Sequence, residues 1–548
     1  MDRIRVLVLG GYGFFGRRLV ERLVLQPGLQ ILIAGRSATK GQALALELKS
    51  LSAASPLSSC VLDADDPDLA QRLWALRPHV VVHTAGPFQG QDYRVARACI
   101  AAGTHYVDLA DGRAFVVGIA ALDEEARAAG VAVLSGASSV PALSSAVVDE
   151  LAAGMHVVDY IDIGISPGNR TERGVSTVQS VLSYCGRAIE TPSAQSVFGW
   201  CGTWHQEYPS PVGNRLLSPC DVPDLALLPA RYPGRPRVRF GAGLELRFLH
   251  RGMNAMAWLA RRGWVAGWEW HATRLKRASE WFKEWGTDAG AMHVHVRGRD
   301  ARGNGSARQW VLVAAEGDGP YVPTLAAAAL VTRLASGGSL QPGARPCVGC
   351  LTSTEILART RDLAITAGEA ENPGLFEHAM GPAYRRLDPA VRAFHDLTGT
   401  AELHGEVETE APTNAVAALI ARLLGAPRLR SRGVLRFELH VERDRQTWTR
   451  HFPHRIMYSS LRLHNRQVEE TLGPVRLAFA LTEEAGSLVM VLRSMRFLGI
   501  PCPEWLLPHI DAREQGHDGL LHFHIRASLP WIGRVTGYRG WLRLPEHA

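Results

Sequence analysis

The sequence predicts an α/β protein that begins with a doubly wound parallel sheet, continues with an α+β domain and ends with an antiparallel, β-rich α+β domain. Short runs rich in Val, Ile and Leu alternate with helical stretches over the first 150 residues. A glycine-rich turn follows the first run. From residue 434 onward, apolar and polar residues alternate, a pattern typical of half-buried antiparallel strands. We place the domains at residues 1–150, 151–365 and 375–548, with the last helices of the second packing back on the first.

The elements of the first domain follow from this alternation. Each predicted strand is short and apolar enough to be buried on both faces of a sheet, and each predicted helix lies between two strands. The predicted strands are Ile4–Leu9, Leu29–Ala34, Cys60–Leu62, His79–His83, Tyr106–Leu109 and Val131–Leu134. The predicted helices are Phe14–Leu25, Gly41–Leu51, Leu69–Leu76, Tyr93–Ala102 and Phe115–Ala129.

A phosphate-binding turn is predicted where the first strand meets the first helix. Gly11, Gly13 and Gly16 satisfy the pattern G-x-G-x-x-G. The first glycine permits a tight turn, the second lets the backbone approach a pyrophosphate, and the third lets helix and strand pack closely. Phe14 and Phe15 begin the helix, whose N-terminal N–H groups favour phosphate. The turn therefore predicts a Rossmann dinucleotide site, and the alternative is a glycine-rich turn without a ligand.

The end of the second predicted strand distinguishes NADP(H) from NAD(H). An NAD-binding domain carries Asp or Glu there for the ribose 2′-hydroxyl, whereas this chain has Arg36 and Ser37, with Lys40 nearby. These side chains can hold a 2′-phosphate through charge-assisted hydrogen bonds. The cofactor predicted is NADP(H), unless Arg36 only covers the surface.

Further motifs resemble a known family. Thr84-Ala85-Gly86-Pro87-Phe88 follows the fourth strand, and Gly103 to Asp108 forms the fifth. Together with Gly10 to Gly16, they resemble the saccharopine dehydrogenase-like NADP-binding oxidoreductases. The resemblance implies that Ala85, Gly86 and Pro87 contact the nicotinamide side of the cofactor, and that Asp63 lies near the adenine.

The catalytic residues are not set by this resemblance. The loop after the sixth strand usually reads Gly-Phe-Asp-Ser-Val-Pro in that family, but here it reads Gly136-Ala137-Ser138-Ser139-Val140-Pro141 and lacks the acid. No Tyr in the chain has Lys four residues later, so the pair used by short-chain dehydrogenases is absent. The candidates for the proton donor are Ser138, Ser139, Tyr106, His105 and Tyr184.

The second domain resembles the substrate domain of the same family, an antiparallel sheet packed against the nucleotide fold. It begins with a strand at Tyr160–Ile165 and ends with a hairpin, Met292–Arg297 and Gln309–Ala315. Arg170 and Arg173 are the cations that we predict to bind substrate. Two arginines are few for a substrate with several carboxylates, so we expect a less polar one. His293 and His295 share a strand face, where they are either metal ligands or plain polar residues.

Tryptophan is concentrated in this domain. Eight of the 14 Trp lie between Trp200 and Trp285, and Met253–Trp285 combines them with Arg and Lys in a predicted helical stretch. Such a segment suits a membrane surface or the entrance for a lipid-like substrate. The alternative is an amphipathic helix pair that packs on the sheet or forms an oligomer interface, as in a homodimer.

The C-terminal domain is predicted as a separate module after a break at Ala367–Gly374. Through Trp448–Phe452, Glu469–Pro474 and Tyr538–Gly540 it resembles a family of unknown function that accompanies such reductases. The curved sheet either encloses an apolar cavity or has an ordinary packed core. The predicted elements are a helix, Asn414–Leu424, and strands Val434–Glu442, Gln446–Phe452, Met457–His464, Val475–Leu481, Ser487–Leu498, Leu521–Leu529 and Gly533–Leu542.

Composition excludes several classes of function. The net charge of +7 comes from Arg, since Lys occurs only at four positions, and no basic run or zinc-finger spacing indicates a nucleic-acid partner. No window reaches 18 consecutive apolar residues. The eight Cys, without a secretory signal, predict reduced thiols in a cytoplasmic protein, membrane-peripheral if the Trp segment binds lipid. Cys347 and Cys350 are interpreted as two part-buried thiols in a turn.

Two functions remain open from the sequence. The first is an oxidoreductase in which NADPH delivers hydride to a C=O, C=N or activated C=C of a mostly apolar small molecule. The second is a nucleotide-bound, catalytically inactive protein that associates with lipid or another protein, which the missing loop acid favours.

Overall fold

The computed structural model describes residues 3–49, 54–191, 196–301, 303, 305–370, 374–397, 399–441, 445–464 and 466–544. The chain divides into two compact units. The first comprises the chain up to Ala370 except residues 154–157 and 297–307, and the second comprises those two segments and everything after Ala370. Each unit is described by itself below.

The first unit begins with alternating strands and helices, as predicted. Its central strand contributes Leu7 and Val8 to the core, and neither is exposed to solvent, which is the burial expected of a strand covered on both faces. The elements are β1 (Ile4–Leu9), α1 (Phe14–Val24), β2 (Leu29–Gly35), α2 (Ala38–Lys49), β3 (Leu57–Val61), α3 (Leu69–Leu76), β4 (Val80–His83), α4 (Arg94–Ala101), β5 (His105–Asp108), α5 (Arg113–Gly118), α6 (Asp123–Ala128), β6 (Ala132–Ser135) and α7 (Ser144–Leu151).

The remainder of the first unit supplies a second sheet and returns to the first. Its elements are β7 (Val157–Ser166), α8 (Val175–Ser183), β8 (Ala188–Ile189), β9 (Val197–Phe198), β10 (Trp204–Tyr208), β11 (Gly213–Pro219), α9 (Asp224–Arg231), β12 (Arg237–Ala242), α10 (Arg247–Arg261), α11 (Ala272–Glu280), β13 (Gly290–Arg299), β14 (Gly305–Ala314), α12 (Leu325–Ala335), β15 (Gly343–Pro346), α13 (Ser353–Leu357) and β16 (Ile365–Ala370).

The first sheet has the strand order β15-β6-β5-β4-β1-β2-β3, and its strands pair in parallel. The predicted Rossmann fold is therefore confirmed. The order reverses at β1, where β2 lies on one side and β4 on the other, and ligands bind at the carboxyl ends of strands at such a point. The second sheet has the order β10-β11-β12-β7-β13-β14-β16, and β12 runs parallel to β7.

The second unit is dominated by antiparallel strands that form a closed sheet. Its order is β22-β21-β20-β19-β18-β17-β27-β26-β25-β23-β24, and β22 also pairs with β23. Leu435, Phe437 and Leu439 alternate into its core, as predicted. The elements are α14 (Leu375–Met380), α15 (Pro389–His395), β17 (Gly399–Glu410), α16 (Ala415–Leu423), β18 (Ser431–Val441), β19 (Arg445–Phe452), β20 (Arg455–His464), β21 (Gln467–Leu472), β22 (Val475–Glu484), β23 (Ser487–Phe497), β24 (Ile500–Pro501), β25 (His509–His517), β26 (Leu520–Leu529) and β27 (Gly533–Arg543).

Several predicted elements differ from the observed ones. The stretch 253–285 is not one helical segment but α10 and α11, separated at Gly263 and Gly267, and the stretch 115–129 divides into α5, a 3₁₀ turn and α6. The expected break at 367–374 is wrong in its first half, because residues 367–370 complete β16, which pairs with β14. The ends predicted at residues 50–51 and 442, and residues 371–373 of the expected break, lie outside the described residues.

Candidate active site

A cleft of about 1450 Å³ runs through the first unit and joins the carboxyl edge of the parallel sheet to the second sheet. The glycine turn, the end of β2 and the loops after β3, β4 and β6 line one end. Helices α8, α10 and α11 line the other. Of the residues predicted to bind cofactor, Gly13, Phe14, Phe15, Arg36, Asp63, Ala85, Gly86 and Pro87 line this cleft.

The glycine turn is shaped by close backbone contacts. A Cβ on Gly16 would lie 2.1 Å from the Gly10 carbonyl oxygen, so the third glycine allows the close packing that was predicted. The tight turn itself falls on Gly10, whose φ is +82°, rather than on Gly11 as expected. Gly13 is the N-cap of α1 and lines the cleft. Gly11 and Gly16 lie behind the cleft surface and act through packing, so they support the cofactor site without lining it.

The end of β2 suits a 2′-phosphate. Arg36 is exposed and lines the cleft, and its guanidinium makes no hydrogen bond or ion pair with the residues that the structure describes. The hydroxyl oxygen of Ser37 accepts a hydrogen bond from the N–H of Lys40 at 3.4 Å at the start of α2. Neither Ser37 nor Lys40 lines the cleft. Arg36 is thus the cation of this group best placed to meet a ligand.

The predicted proton donors separate into two groups. Ser138, Ser139 and Tyr184 line the cleft. His105 does not, because it begins β5 at the opposite edge of the sheet, where its Nδ1 accepts the N–H of Ala132 at 3.0 Å. Tyr106 is fully buried in the core of the sheet, 3.2 Å from His83. We therefore withdraw His105 and Tyr106 as proton donors.

The two predicted substrate arginines also separate. Arg173 lines the cleft, its Nη2 donates to the Gly168 carbonyl at 3.3 Å, and its Nε has no hydrogen-bond partner within the described chain. Burial lowers the pKa of Arg173, and Glu245 opposes this. Arg170 does not line the cleft and donates to the Glu284 carbonyl at 3.1 Å. Arg170 is therefore withdrawn as a substrate ligand.

A polar cluster that the sequence analysis missed lies beside α8. Asp111 follows β5, and its carboxylate accepts hydrogen bonds from Gln89 Nε2 at 3.1 Å and from the Ser180 hydroxyl at 3.2 Å. Burial raises the pKa of Asp111, although the hydrogen bonds from Gln89 and Ser180 oppose this. Asp111 and Ser180 line the cleft. The available signal was position, since Asp111 lies just after the carboxyl end of a parallel strand.

The two histidines of β13 are buried core residues. Both are fully buried, and His293 Nδ1 lies 2.9 Å from the Tyr208 hydroxyl. Among the described residues, no three potential ligands come together as a metal site. Neither histidine lines the cleft.

Comparison with known protein families agrees with this geometry. Residues 6–134 match the family model described as the saccharopine dehydrogenase NADP binding domain. The N-terminal domain is thus similar to the NADP-binding domain of saccharopine dehydrogenase. This confirms the predicted resemblance and the predicted cofactor, NADP(H), and supports an oxidoreductase. Residues 387–542 match a domain of unknown function, DUF4166, as the sequence resemblance predicted.

Solved structures with a similar chain path include two dehydrogenases. One is the apo saccharopine dehydrogenase (L-Glu forming) from Saccharomyces cerevisiae, with 14% identity and a TM-score of 0.47, covering 67% of this chain and 100% of that one. Another is an amine dehydrogenase from Mycobacterium smegmatis, with 13% identity and a TM-score of 0.35, covering 63% of this chain and 95% of that one. At these identities the likeness concerns the fold alone. No curated protein gives a significant match.

Proposed function

We propose that the chain is a reductase that uses NADPH to reduce a C=O, C=N or activated C=C bond of a mostly apolar small molecule. The observation that carries the proposal is the continuity of the cleft, in which the cofactor-binding turns and an apolar chamber share one space. NADPH would supply the hydride when bound, and the protein's task is to bind, orient and protonate the substrate.

The apolar end of the cleft supports a substrate with extended hydrocarbon. Apolar side chains from helices α8, α10 and α11 and from strands β12, β13 and β14 meet there. Burial of such a surface against a ligand contributes about 25 cal/mol per Å² of apolar area. The lining apolar residues include Val178, Val181, Leu182, Val222, Phe240, Leu249, Met253, Met256, Leu275, Phe282, Met292 and Leu312.

Asp111 is the proton source that the geometry favours. Burial raises its pKa, which favours the protonated form that a proton source needs, and Gln89 and Ser180 hold the carboxyl in place. Tyr184 is the second choice. Burial raises the pKa of its phenol well above the usual value, which makes proton release harder.

Arg173 supports orientation of a polar group on the substrate. A buried guanidinium with an unpartnered Nε is costly unless a ligand completes its hydrogen bonds. A single carbonyl oxygen on an otherwise apolar molecule meets this requirement.

We further propose that the substrate is lipid-like and that it enters from a membrane surface. The segments that flank α11 expose Trp264, Trp270 and Trp281 by 69%, 84% and 82%. Solvent exposure distinguishes an interfacial segment from rings that fill a core, and here the rings are exposed. No helix in the described part of the chain is long and apolar enough to span a bilayer.

Helices α10 and α11 and the turn after α11 face both the cleft and the solvent. Phe248 and Phe282 line the cleft, and Trp285, which is 67% exposed, packs against both with ring centroids 5.8 and 5.1 Å apart. Exposed Arg261, Arg262, Arg274 and Arg277 lie among the Trp rings and would attract anionic lipid. The rings of Phe248, Phe282 and Trp285 offer an apolar path from the surface into the apolar end of the cleft.

The reductase proposal is tested by incubating the protein with NADPH and a panel of long-chain ketones, imines and enoyl thioesters. We expect turnover on at least one class, and loss of most of it in Asp111→Asn with NADPH binding retained. Asp66→Asn is the matched control, because Asp66 pairs with Arg72 at 2.6 Å and does not line the cleft. NADPH binding without turnover across the panel would instead favour the inactive, lipid-associated protein.

The membrane proposal is tested by co-sedimentation with vesicles of phosphatidylglycerol and phosphatidylcholine. We expect binding that salt weakens and that Trp270→Ala/Trp281→Ala removes. Trp74→Ala is the control, because Trp74 is 64% exposed on α3, outside this surface. Absence of wild-type binding to vesicles at low salt overturns the membrane proposal.

A further inference from the structure

The closed sheet of the second unit encloses a cavity of about 600 Å³. It is bounded by side chains from β19 to β23 and β25 to β27, with α16 and the segment after β24. Pockets of roughly 300–1,000 Å³ are the size that single small molecules occupy. The interior is thus not an ordinary packed core but has room for a ligand.

The walls of this cavity are mostly apolar. Well-packed interiors leave few voids larger than a water molecule, so an apolar space of this size indicates an apolar occupant. The apolar lining residues are Ile420, Leu423, Leu424, Ala426, Trp448, Met457, Leu472, Val475, Leu477, Phe479, Met490, Met495, Phe497, Ile500, Leu506, Ile510, Ala512, Ile525, Ala527, Leu529, Ile532 and Val535.

The charged side chains in the walls are already paired. Arg450 Nη1 donates to the Ser459 hydroxyl at 3.0 Å, and Arg450 Nη2 lies 3.5 Å from Glu470. Glu514 lies 2.7 Å from His395 Nε2. An anionic head group would lie near the carboxylates of Glu470 and Glu514 and would have to displace Glu470 from Arg450. Because the head group would also lose its hydration, its binding there would be costly. The interior therefore favours an uncharged molecule.

Unpartnered polar atoms indicate where a polar group of that molecule would lie. Thr536 lines the cavity, only 7% of it is exposed, and its hydroxyl has no hydrogen-bond partner within the described residues. Oε1 of Glu470, which is 9% exposed, makes no hydrogen bond either, and its ion pair with Arg450 Nη2 spans 3.5 Å. Tyr538 lines the same region, and burial raises the pKa of its phenol, which therefore stays a donor. Buried polar groups without partners are uncommon in native proteins.

Exposed apolar residues adjoin the cavity walls. Phe497 and Ile500 line the cavity and are 45% and 70% exposed, so its wall reaches the surface there. Trp505 and Trp531, 65% and 83% exposed, lie with ring centroids 5.8 Å apart, and each is next to a lining residue. This rim gives an apolar molecule a route inside.

We propose that the closed sheet binds one uncharged, long-chain molecule, such as an ester or alcohol, with its hydrocarbon among the apolar walls and its oxygen near Thr536 and Tyr538. This site is separate from the NADP-binding cleft in its residues, and it does not depend on reductase activity.

The test uses the full chain and two fluorescent probes at pH 8, the methyl ester of cis-parinaric acid and the free acid. We expect the closed sheet to bind one ester per chain, with at least tenfold weaker binding of the ionised acid. Any ester bound in the cleft of the first unit remains in the variants below, so the site is measured as the binding that they lose. Ala512→Phe fills the cavity and should weaken ester binding at least tenfold. Gln515→Phe is the control, because Gln515 is exposed on the same strand and does not line the cavity.

A second variant removes only the unpartnered hydroxyl. Thr536→Val keeps the shape of the side chain, so we expect a melting temperature equal to or above wild type with ester affinity reduced several-fold. If Thr536 had only a structural role, its replacement would not lower ester affinity while leaving the melting temperature unchanged or higher. The proposal is overturned if the wild type does not bind the ester, or if Ala512→Phe binds it as well as the wild type does. If the acid binds more tightly than the ester, the inference that the ligand is uncharged is wrong.

Discussion

The phenolic oxygen of Tyr12 accepts a hydrogen bond from the backbone N–H of Ser37 at 2.7 Å, which ties the glycine turn to the loop after β2. A Cβ on Gly35 would lie 2.6 Å from the Tyr12 ring, so the ring packs directly over the end of that strand. Because the Ser37 N–H is already used, we expect the side chain of Arg36 to carry most of the recognition of a 2′-phosphate.

Removing the Tyr12 hydroxyl should loosen this loop. In Tyr12→Phe the part-buried Ser37 N–H loses its partner, and we expect a loss of about 1 kcal/mol in the free energy of unfolding. The Kd for NADPH should rise several-fold, because binding must then order the loop. Urea denaturation and fluorescence titration measure the two effects.

Tyr93→Phe is the matched control for this change. The Tyr93 hydroxyl donates to the Phe115 carbonyl at 2.9 Å in the same domain, and Tyr93 does not line the cleft. It should lose similar stability with no change in NADPH affinity. Equal loss of affinity in both variants would show that Tyr12 acts only through global stability.

Arg36→Asp should reverse or erase the preference for NADPH over NADH. A charge-assisted contact is worth about 1.5–3 kcal/mol, or roughly one to two decades in Kd. Titration of both cofactors against both proteins measures it. Lys40→Ala is the control, since Lys40 does not line the cleft and should leave the preference unchanged. Equal affinity of the wild type for NADPH and NADH would contradict the role of Arg36.

Substitutions at Gly13 and Gly16 should have different effects on NADPH binding and on stability. Gly13→Val places a side chain at the cleft surface, so we expect NADPH binding to disappear while the protein stays folded. Gly16→Ala places a Cβ 2.1 Å from the Gly10 carbonyl oxygen and 2.7 Å from the Thr84 hydroxyl, so it should lower the melting temperature as well. Circular dichroism and NADPH titration separate the two outcomes, and normal NADPH binding by Gly13→Val would contradict the placement of the pyrophosphate.

The sequence predicted most strands of the parallel sheet and of the closed sheet, but only three of the seven strands of the second sheet of the first unit. β17 was missed because Glu402, Glu406, Glu408 and Glu410 interrupt its apolar residues. It also contains Gly405, where a Cβ would lie 1.8 Å from the Trp541 carbonyl oxygen. That contact joins strands far apart in the chain, so only the closed sheet explains the glycine.

The cofactor end of the site was predictable and the catalytic end was not. The glycine turn, Arg36 and Ala85–Pro87 are local motifs at the ends of strands. Asp111 owes its raised pKa to burial in the folded chain, and its hydrogen-bond partners Gln89 and Ser180 lie 22 and 69 residues away in sequence. The candidates named from the sequence instead included Tyr106, which is fully buried in the core.

Cys350 should be the most reactive thiol of its pair. A hydrogen bond from Cys347 lowers the pKa of Cys350, and Arg345 and Arg333 act in the same direction. We expect iodoacetamide to modify Cys350 at pH 7 faster than Cys60, which is also half-buried but whose pKa is raised by burial. Peptide mass spectrometry measures the rates. Cys347→Ala should slow modification of Cys350, and an unchanged rate would contradict the role of Cys347.

Asp224 should make stability depend on pH. It is fully buried, and burial raises its pKa from 3.8 to about 6 against the hydrogen bond from Ser144. Between pH 3.8 and pH 6 the carboxyl of Asp224 holds a proton in the folded state that it releases in the unfolded state. The contribution of Asp224 to stability is therefore present below pH 4 and is lost as the pH rises through 6. The loss is at most about 3 kcal/mol. Urea denaturation from pH 4 to 7 measures it.

Asp224→Asn isolates this contribution from other buried groups. His83, whose pKa burial lowers to about 4, acts in the opposite direction over the same range, so only the difference between wild type and variant reports on Asp224. As the pH rises from 4 to 7, the free energy of unfolding of Asp224→Asn should rise relative to that of the wild type. Ser144→Ala removes the hydroxyl that lowers the Asp224 pKa and should move the loss to higher pH. Parallel stability curves for wild type and Asp224→Asn would mean that Asp224 does not titrate in this range.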